Sequence, residues 1–301
     1  MQIVPFHGWE RNARLVCRDV EMIVTLDVGP RVLGYGFVGE RNQLAVRETT
    51  AGMVGGAEFR SYGGHRLWIA PEEAPRTFQP DNEPIQHREE DGWSIFTAEK
   101  DAYFTQKEIR IRPDEERGCF RLVHRIYNHS AYDLELAPWT PTQFAVGGEA
   151  IFPQPDYIPH GQKLLPARPL VLWNYTKMSD PRWTWGDRVV RLRQSTEMGP
   201  TKVGALVQQG IAVYCNQGDT YLRRFSYEES ATYPDFGCNF ETFTRQDMLE
   251  IESLGPLRSV PKGGGFVEHP ETWYLLRHET APEDDAECGE WLARLARDHP
   301  L

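Results

Sequence analysis

Glu250 and Glu252 stand two residues apart in Met248-Leu249-Glu250-Ile251-Glu252-Ser253, a run that alternates as a strand does. Alternation puts Met248, Glu250 and Glu252 on one face and Leu249 and Ile251 on the other. The two carboxylates are then ~7 Å apart at their Cα atoms. On a face lining a cleft, their repulsion would raise one pKa and create a usable acid or base. On a face turned to water they would be ordinary solvated glutamates, the commoner arrangement for such a pair. Glu241 opens the same segment and joins it as a binding candidate.

Two further clusters place aromatic rings beside groups with directional hydrogen bonds. In Tyr62-Gly63-Gly64-His65-Arg66-Leu67-Trp68 the glycine pair permits tight turning, so His65 and Arg66 can project from a loop. The plainer reading is a turn, with Trp68 in the core and Arg66 paired to Glu72. A short helical turn over 63–67 is a further expectation. In Trp173 to Trp185, three tryptophans flank Asp180 and Arg182, which suits a stacking wall with a charged clamp. The alternative is a satellite hydrophobic cluster with the two charges merely paired. Sugar rings have apolar C–H faces and hydroxyl rims, and Trp plates beside Arg, Asp and Glu match both. Arg66, Trp68, Trp139, Asp180, Arg182, Trp183 and Glu241 are therefore the binding candidates.

Other chemistries lack their motifs. The sequence has no phosphate-cradling G-x-x-x-x-G-K-[ST] loop, no H-E-x-x-H and no G-x-S-x-G elbow. No cofactor and no metal are expected. The remaining histidines, among them His124, His129, His160 and His269, are scattered and read as ordinary core or surface residues.

The elements that must carry these side chains are strands. Period-2 alternation recurs in 21–28, 31–35, 120–127, 204–216, 248–254 and 267–278, with Gly and Pro scattered between the runs. One amphipathic helix is expected at about 284–297, where Cys288, Trp291, Leu292 and Leu295 share a face. The proline-rich stretch from Ile151 to Pro169 reads as a long ordered excursion. No linker or repeat divides the 301 residues, so one domain spanning 1–301 is expected.

The charge balance narrows the partners. Acidic residues outnumber basic ones, 44 to 33, which disfavours nucleic acid and anionic membrane. No apolar run approaches the ~20 residues that span a bilayer, and the N-terminus does not read as a signal peptide. Five cysteines without C-x-x-C spacing suit separate reduced thiols. A cytoplasmic protein is the expectation, and its oligomeric state is left open.

The order of the clusters resembles the galactose mutarotase-like (aldose 1-epimerase-like) superfamily over roughly residues 10 to 280. Val24-Thr25-Leu26-Asp27-Val28-Gly29-Pro30-Arg31 resembles its opening hairpin, and Gly63-Gly64-His65-Arg66-Leu67-Trp68 its sugar-contacting loop. Val123 to Ser130 resembles the strand ending in Asn followed by a small hydroxyl residue. Leu249-Glu250-Ile251-Glu252-Ser253-Leu254-Gly255-Pro256 resembles the strand bearing the catalytic glutamate, and Val260 to Trp273 the closing hairpin. Motifs such as G-G-H-x-L-W and E-x-E-S-L-G-P-L look closest to an uncharacterised branch.

The resemblance implies an all-β supersandwich of antiparallel strands with a sugar cleft on its concave sheet. It implies a small-molecule carbohydrate as partner, and Glu250 or Glu252 as the base of an epimerase. The histidine that mutarotases place after the Asn-ended strand has no counterpart in Glu135 to Gln143, and His65, on a neighbouring loop and outside the family's pattern, is the candidate for a substitute acid. Three readings follow: a carbohydrate-binding protein first, an aldose 1-epimerase-like isomerase or lyase second, and a non-catalytic structural sandwich third.

Overall fold

The computed structural model describes residues 1–165 and 167–301. Among these, the strands form two antiparallel sheets, of twelve and ten strands. The first runs from the N-terminal strands Gln2–Phe6, Trp9–Cys17, Val20–Thr25 and Arg31–Phe37 to the short His65–Arg66. It continues through Leu134–Phe144, Met248–Leu254, Phe240–Arg245, Thr201–Ala205 and Leu170–Leu172. The second is centred on Cys119–Asn128, Gly265–Arg277 and Asp219–Phe225. Both sheets mix strands from the two halves of the chain.

Alternation explains why the sheets face each other. Leu249 and Ile251, Phe144, Val32 and Phe240 point inward from the first sheet and pack on Phe120, Leu122, Ile126 and Tyr221 of the second. Their burial against one another is the main driving force for the sandwich. The expected C-terminal helix is present as Asp285–Asp298, with Asp284 capping the amides of Ala286 and Glu287. Its apolar face (Cys288, Trp291, Leu292 and Leu295) covers the outer side of the second sheet against Val213 and Leu222.

Two local expectations are corrected. Residues 63–67 form no helical turn, because His65 pairs with Val32 and Thr142 as a strand. The 204–216 run is two strands, Thr201–Ala205 and Ile211–Asn216, in different sheets. The excursion joins strand Glu149–Pro153 to strand Leu170–Leu172, and Pro166 within it lies outside the described residues. All five cysteines are free. No helix is long and apolar enough to cross a membrane among the described residues.

Candidate functional site

The outer face of the first sheet carries a row of side chains set by strand register. Lys202 is the partner of Phe243, Phe243 of Glu250, and Glu250 of Gln143 across four adjacent strands. The next row joins Glu241 to Glu252. Because neighbouring strands lie about 4.8 Å apart, these groups are held at hydrogen-bonding reach by the backbone.

A cleft of about 290 Å³ opens on this row. Its floor is the row Gln143, Glu250, Phe243 and Lys202, and its walls include Trp68, Trp139, Phe59 and Phe78, together with Tyr175. The first four form a connected aromatic cluster. Trp68 meets Trp139 edge-on at 5.1 Å, Phe78 at 5.3 Å and Phe59 at 5.7 Å between ring centroids. The Arg66 guanidinium lies 3.8 Å from the Trp68 ring centroid, a cation–π contact that also orients its fork.

The floor is electrostatically linked. Glu250 Oε1 accepts from Gln143 at 2.7 Å and from Arg66 Nη2 at 3.4 Å. Burial, and then Glu252 beside it, push the Glu250 carboxyl up from its ordinary value, while Arg66 pulls it back. The Lys202 ammonium is 2.7 Å from Glu241 and 3.1 Å from Glu252, and sits 4.7 Å from the ring centroids of both Trp139 and Trp173. Burial would lower its pKa, but the two carboxylates overcome this and raise it. Glu252 also accepts from Trp139 Nε1 at 2.6 Å. Glu241 is pushed well up, by burial and by Glu252 against the pull of Lys202.

The sequence candidates therefore divide. Arg66, Trp68, Trp139 and Glu250 line the cleft, while Glu252 and Glu241 lie buried directly behind Lys202. His65 is not among them. It alternates with Arg66 on the same strand, so it points between the sheets, where it is fully buried. Its place as the cleft acid is corrected on that ground. Trp183 is also interior, stacked on Trp185 at 4.8 Å and donating to Thr201 Oγ1 at 3.0 Å. Asp180 and Arg182 pair with each other at 2.7 Å, and Arg182 donates to the Gly199 carbonyl. Neither lines the cleft, so the plainer reading holds for these two charges, whereas Tyr175 of the same run does line it. None of the described residues of 154–169 lines it either.

Sequence reasoning missed Lys202, Gln143, Tyr175, Phe243, Phe59 and Phe78. Gln143 and Phe243 sit at alternating positions beside recognised segments, and strand phase could have found them. Lys202 had no local signal, since its partners lie about 40 and 50 residues away in sequence.

Beneath the floor, His65 belongs to a polar network between the sheets. His65 Nε2 is 2.7 Å from His124 Nε2, and His65 Nδ1 is 2.7 Å from Thr142 Oγ1. His124 Nδ1 lies 3.0 Å from the His269 carbonyl, which assigns it the proton and makes His124 Nε2 the acceptor from His65. Glu271 accepts from Thr140 and Ser253 at 2.6 Å and from Trp273 Nε1 at 2.7 Å, and pairs with Arg223 at 3.4 Å. His65, His124 and Glu271 bring ligand atoms within 4.8 Å of one another. Yet the two nitrogens stand at hydrogen-bond distance, and Glu271 is fully engaged beside a guanidinium. The group fits a hydrogen-bonded chain and does not fit a metal.

No family model matches the sequence, and no curated protein matches it. Solved structures do. A protein from Synechocystis sp. PCC 6803 superposes with a TM-score of 0.58 at 11% identity, covering 93% of this chain and all of that one. A candidate aldose 1-epimerase from Escherichia coli K12 gives 0.57 at 12% identity over 88% of this chain and 99% of its own. A galactose mutarotase-like protein from Lactobacillus casei ATCC 334 gives 0.57 at 9% identity, with the same coverages. At such identities the likeness is one of fold, and the fold is the galactose mutarotase-like β-sandwich.

Proposed function

We propose that the cleft binds one sugar ring. The observation that carries this reading is the mixture of unused hydrogen-bonding groups at its wall. Arg66 Nε and Nη1 and Trp68 Nε1 are buried donors without partners, and Gln143 Oε1 is a buried acceptor without one. Both hydrogen bonds of Glu250 fall on Oε1, which leaves Oε2 for a ligand. An anion would use only the donors. A hydroxyl both donates and accepts, so a polyol uses both kinds. The aromatic walls supply plates for the C–H faces. At about 290 Å³ the cleft is at the small end of ligand sites, about 300–1,000 Å³, which suits a monosaccharide.

Saturation-transfer NMR against D-glucose, D-galactose, D-mannose and D-xylose tests the reading. Binding by wild type and its loss in Trp68→Ala support it. Silence across the panel at millimolar sugar removes it.

A second reading, anomeric catalysis, is favoured by the raised pKa of Glu250. A carboxylate made more basic by burial is a better acceptor for the anomeric hydroxyl proton. Ring opening also needs a proton on the ring oxygen. Lys202, held charged by two carboxylates, gives one up reluctantly, and Tyr175, pushed up to about 12 by burial, is the neutral acid at the wall. Accelerated anomeric exchange in the same NMR tubes supports this reading, and binding without exchange leaves a recognition protein.

A further inference from the structure

We infer that Asn82, which does not line the cleft, is a positioning residue that fixes the Phe59 wall. The inference rests on the reading of the cleft as a sugar site.

Phe59 and Ser61 reach the cleft from one loop, and Phe78 from another. Neither loop is held there by a sheet ladder, so something else must fix them. Asn82 is 1% exposed and spends its whole amide on that task. Its Nδ2 donates to the carbonyls of Gly56 at 2.9 Å and Glu58 at 2.8 Å. Its Oδ1 accepts from the Tyr62 hydroxyl at 2.8 Å, and its own carbonyl accepts from the Gly55 amide at 2.7 Å. These contacts bracket Phe59 on both sides in sequence.

The staple is itself anchored. Asp81, one residue earlier, accepts from Lys107 at 2.9 Å through its side chain and from the Gly29 amide at 2.9 Å through its carbonyl. Thr77 Oγ1, 3.2 Å from the Ile69 carbonyl, ties the same loop to the strand that carries Trp68. Asn82 thus transmits the position of the sheet to Phe59, whose ring lies 5.7 Å from Trp68 and 5.5 Å from Phe78. A side chain of any other type cannot donate twice and accept once at this reach, apart from glutamine, which is one carbon too long.

A double-mutant cycle between Asn82 and Phe59 tests this, with affinity read by NMR for the aldose of the panel that wild type binds most tightly. Asn82→Ala is expected to weaken binding roughly three- to tenfold, the size of one lost aromatic contact. In a Phe59→Ala background the same change is expected to do almost nothing, because its route to the ligand is gone. Tyr62→Phe removes one of the three side-chain hydrogen bonds. It serves as the milder variant if Asn82→Ala fails to fold, with the same non-additivity expected. Losses that add in the double mutant overturn the inference while leaving the sugar reading intact. Wild type silent across the panel overturns both.

Discussion

The Nε2 atoms of His65 and His124 lie 2.7 Å apart, fully buried between the sheets. Two imidazoles can share a hydrogen bond at that distance only if at most one proton lies between them. Burial lowers the pKa of His65 well below its usual value, and the neighbouring His124 lowers it further. Burial also lowers His124 and takes His269 down to about 4. The groups facing them are Glu271, kept ionised by Arg223 against the effect of burial, and the hydroxyls of Thr140, Thr142 and Ser253.

Stability should therefore fall with acidity. An unfolded histidine takes up its proton near pH 6.5, whereas the folded ones resist, so the unfolded state binds more protons below 6.5. Stability held by His269 is fully present above pH 6.5 and lost as pH falls to about 4, roughly 3 kcal/mol in all. Glu241 and Glu250, with raised pKa values, act with the opposite sign above about pH 4.5. Because those carboxyls oppose the histidines in wild type, the difference between wild type and His124→Gln isolates the effect: in urea unfolding from pH 7.5 to 5, wild type should lose stability relative to the variant. A difference independent of pH contradicts the assignment.

Each first-sheet member of this network neighbours, in sequence, a residue on the cleft side. His65 precedes Arg66, Thr140 follows Trp139, Thr142 precedes Gln143 and Ser253 follows Glu252. Strand alternation makes this inevitable once one face is polar inside and out. That geometry also sets what could be read from the chain. Met248–Leu254 was legible to the residue, phase included, because Leu249 and Ile251 alternate cleanly with charged neighbours. The glycine pair before His65 and Arg66 reads as a loop that projects both side chains together. In fact Gly63 and Gly64, both at positive φ, pass so close to the Ala45 and Val32 carbonyls that a Cβ would stand 2.1 Å from each. They serve strand packing there, and the strand sends its two polar residues to opposite sides. The Lys202 hub was not legible, since nothing local distinguishes a lysine with two distant carboxylates from a solvated one.

Lys202 gives a stability prediction of its own. Lys202→Met leaves Glu241 and Glu252 buried without their counter-charge, and should cost about 3–5 kcal/mol near neutral pH. Adding Glu241→Gln and Glu252→Gln to that variant should recover much of the loss. Urea midpoints measure both. A single variant within 1 kcal/mol of wild type would mean the ammonium is not the group that holds the two carboxylates.

Trp183 and Trp68 should separate fold from site. Trp183→Ala opens a cavity between the sheets and should destabilise by about 3–5 kcal/mol, while sugar binding at a temperature where the protein remains folded is unchanged. Trp68→Ala should abolish the saturation-transfer signal. Loss of binding in a folded Trp183→Ala protein would return Trp183 to the site.

Glu250→Gln distinguishes a ligand contact from a catalytic base. The amide keeps a carbonyl oxygen facing Gln143 and Arg66, so sugar affinity should change by no more than about threefold, well under one tenfold step. Any anomeric exchange should fall by roughly a hundredfold or more, the usual contribution of a positioned base. Stability supplies an independent check. Because burial and Glu252 disfavour the ionised form of Glu250, wild type gives up stability as pH rises through the raised pKa, and the amide does not. The melting temperature of Glu250→Gln relative to wild type should thus be higher at pH 8 than at pH 5. An equal difference at both values would show that the carboxyl titrates normally, and the case for Glu250 as a base would go with it.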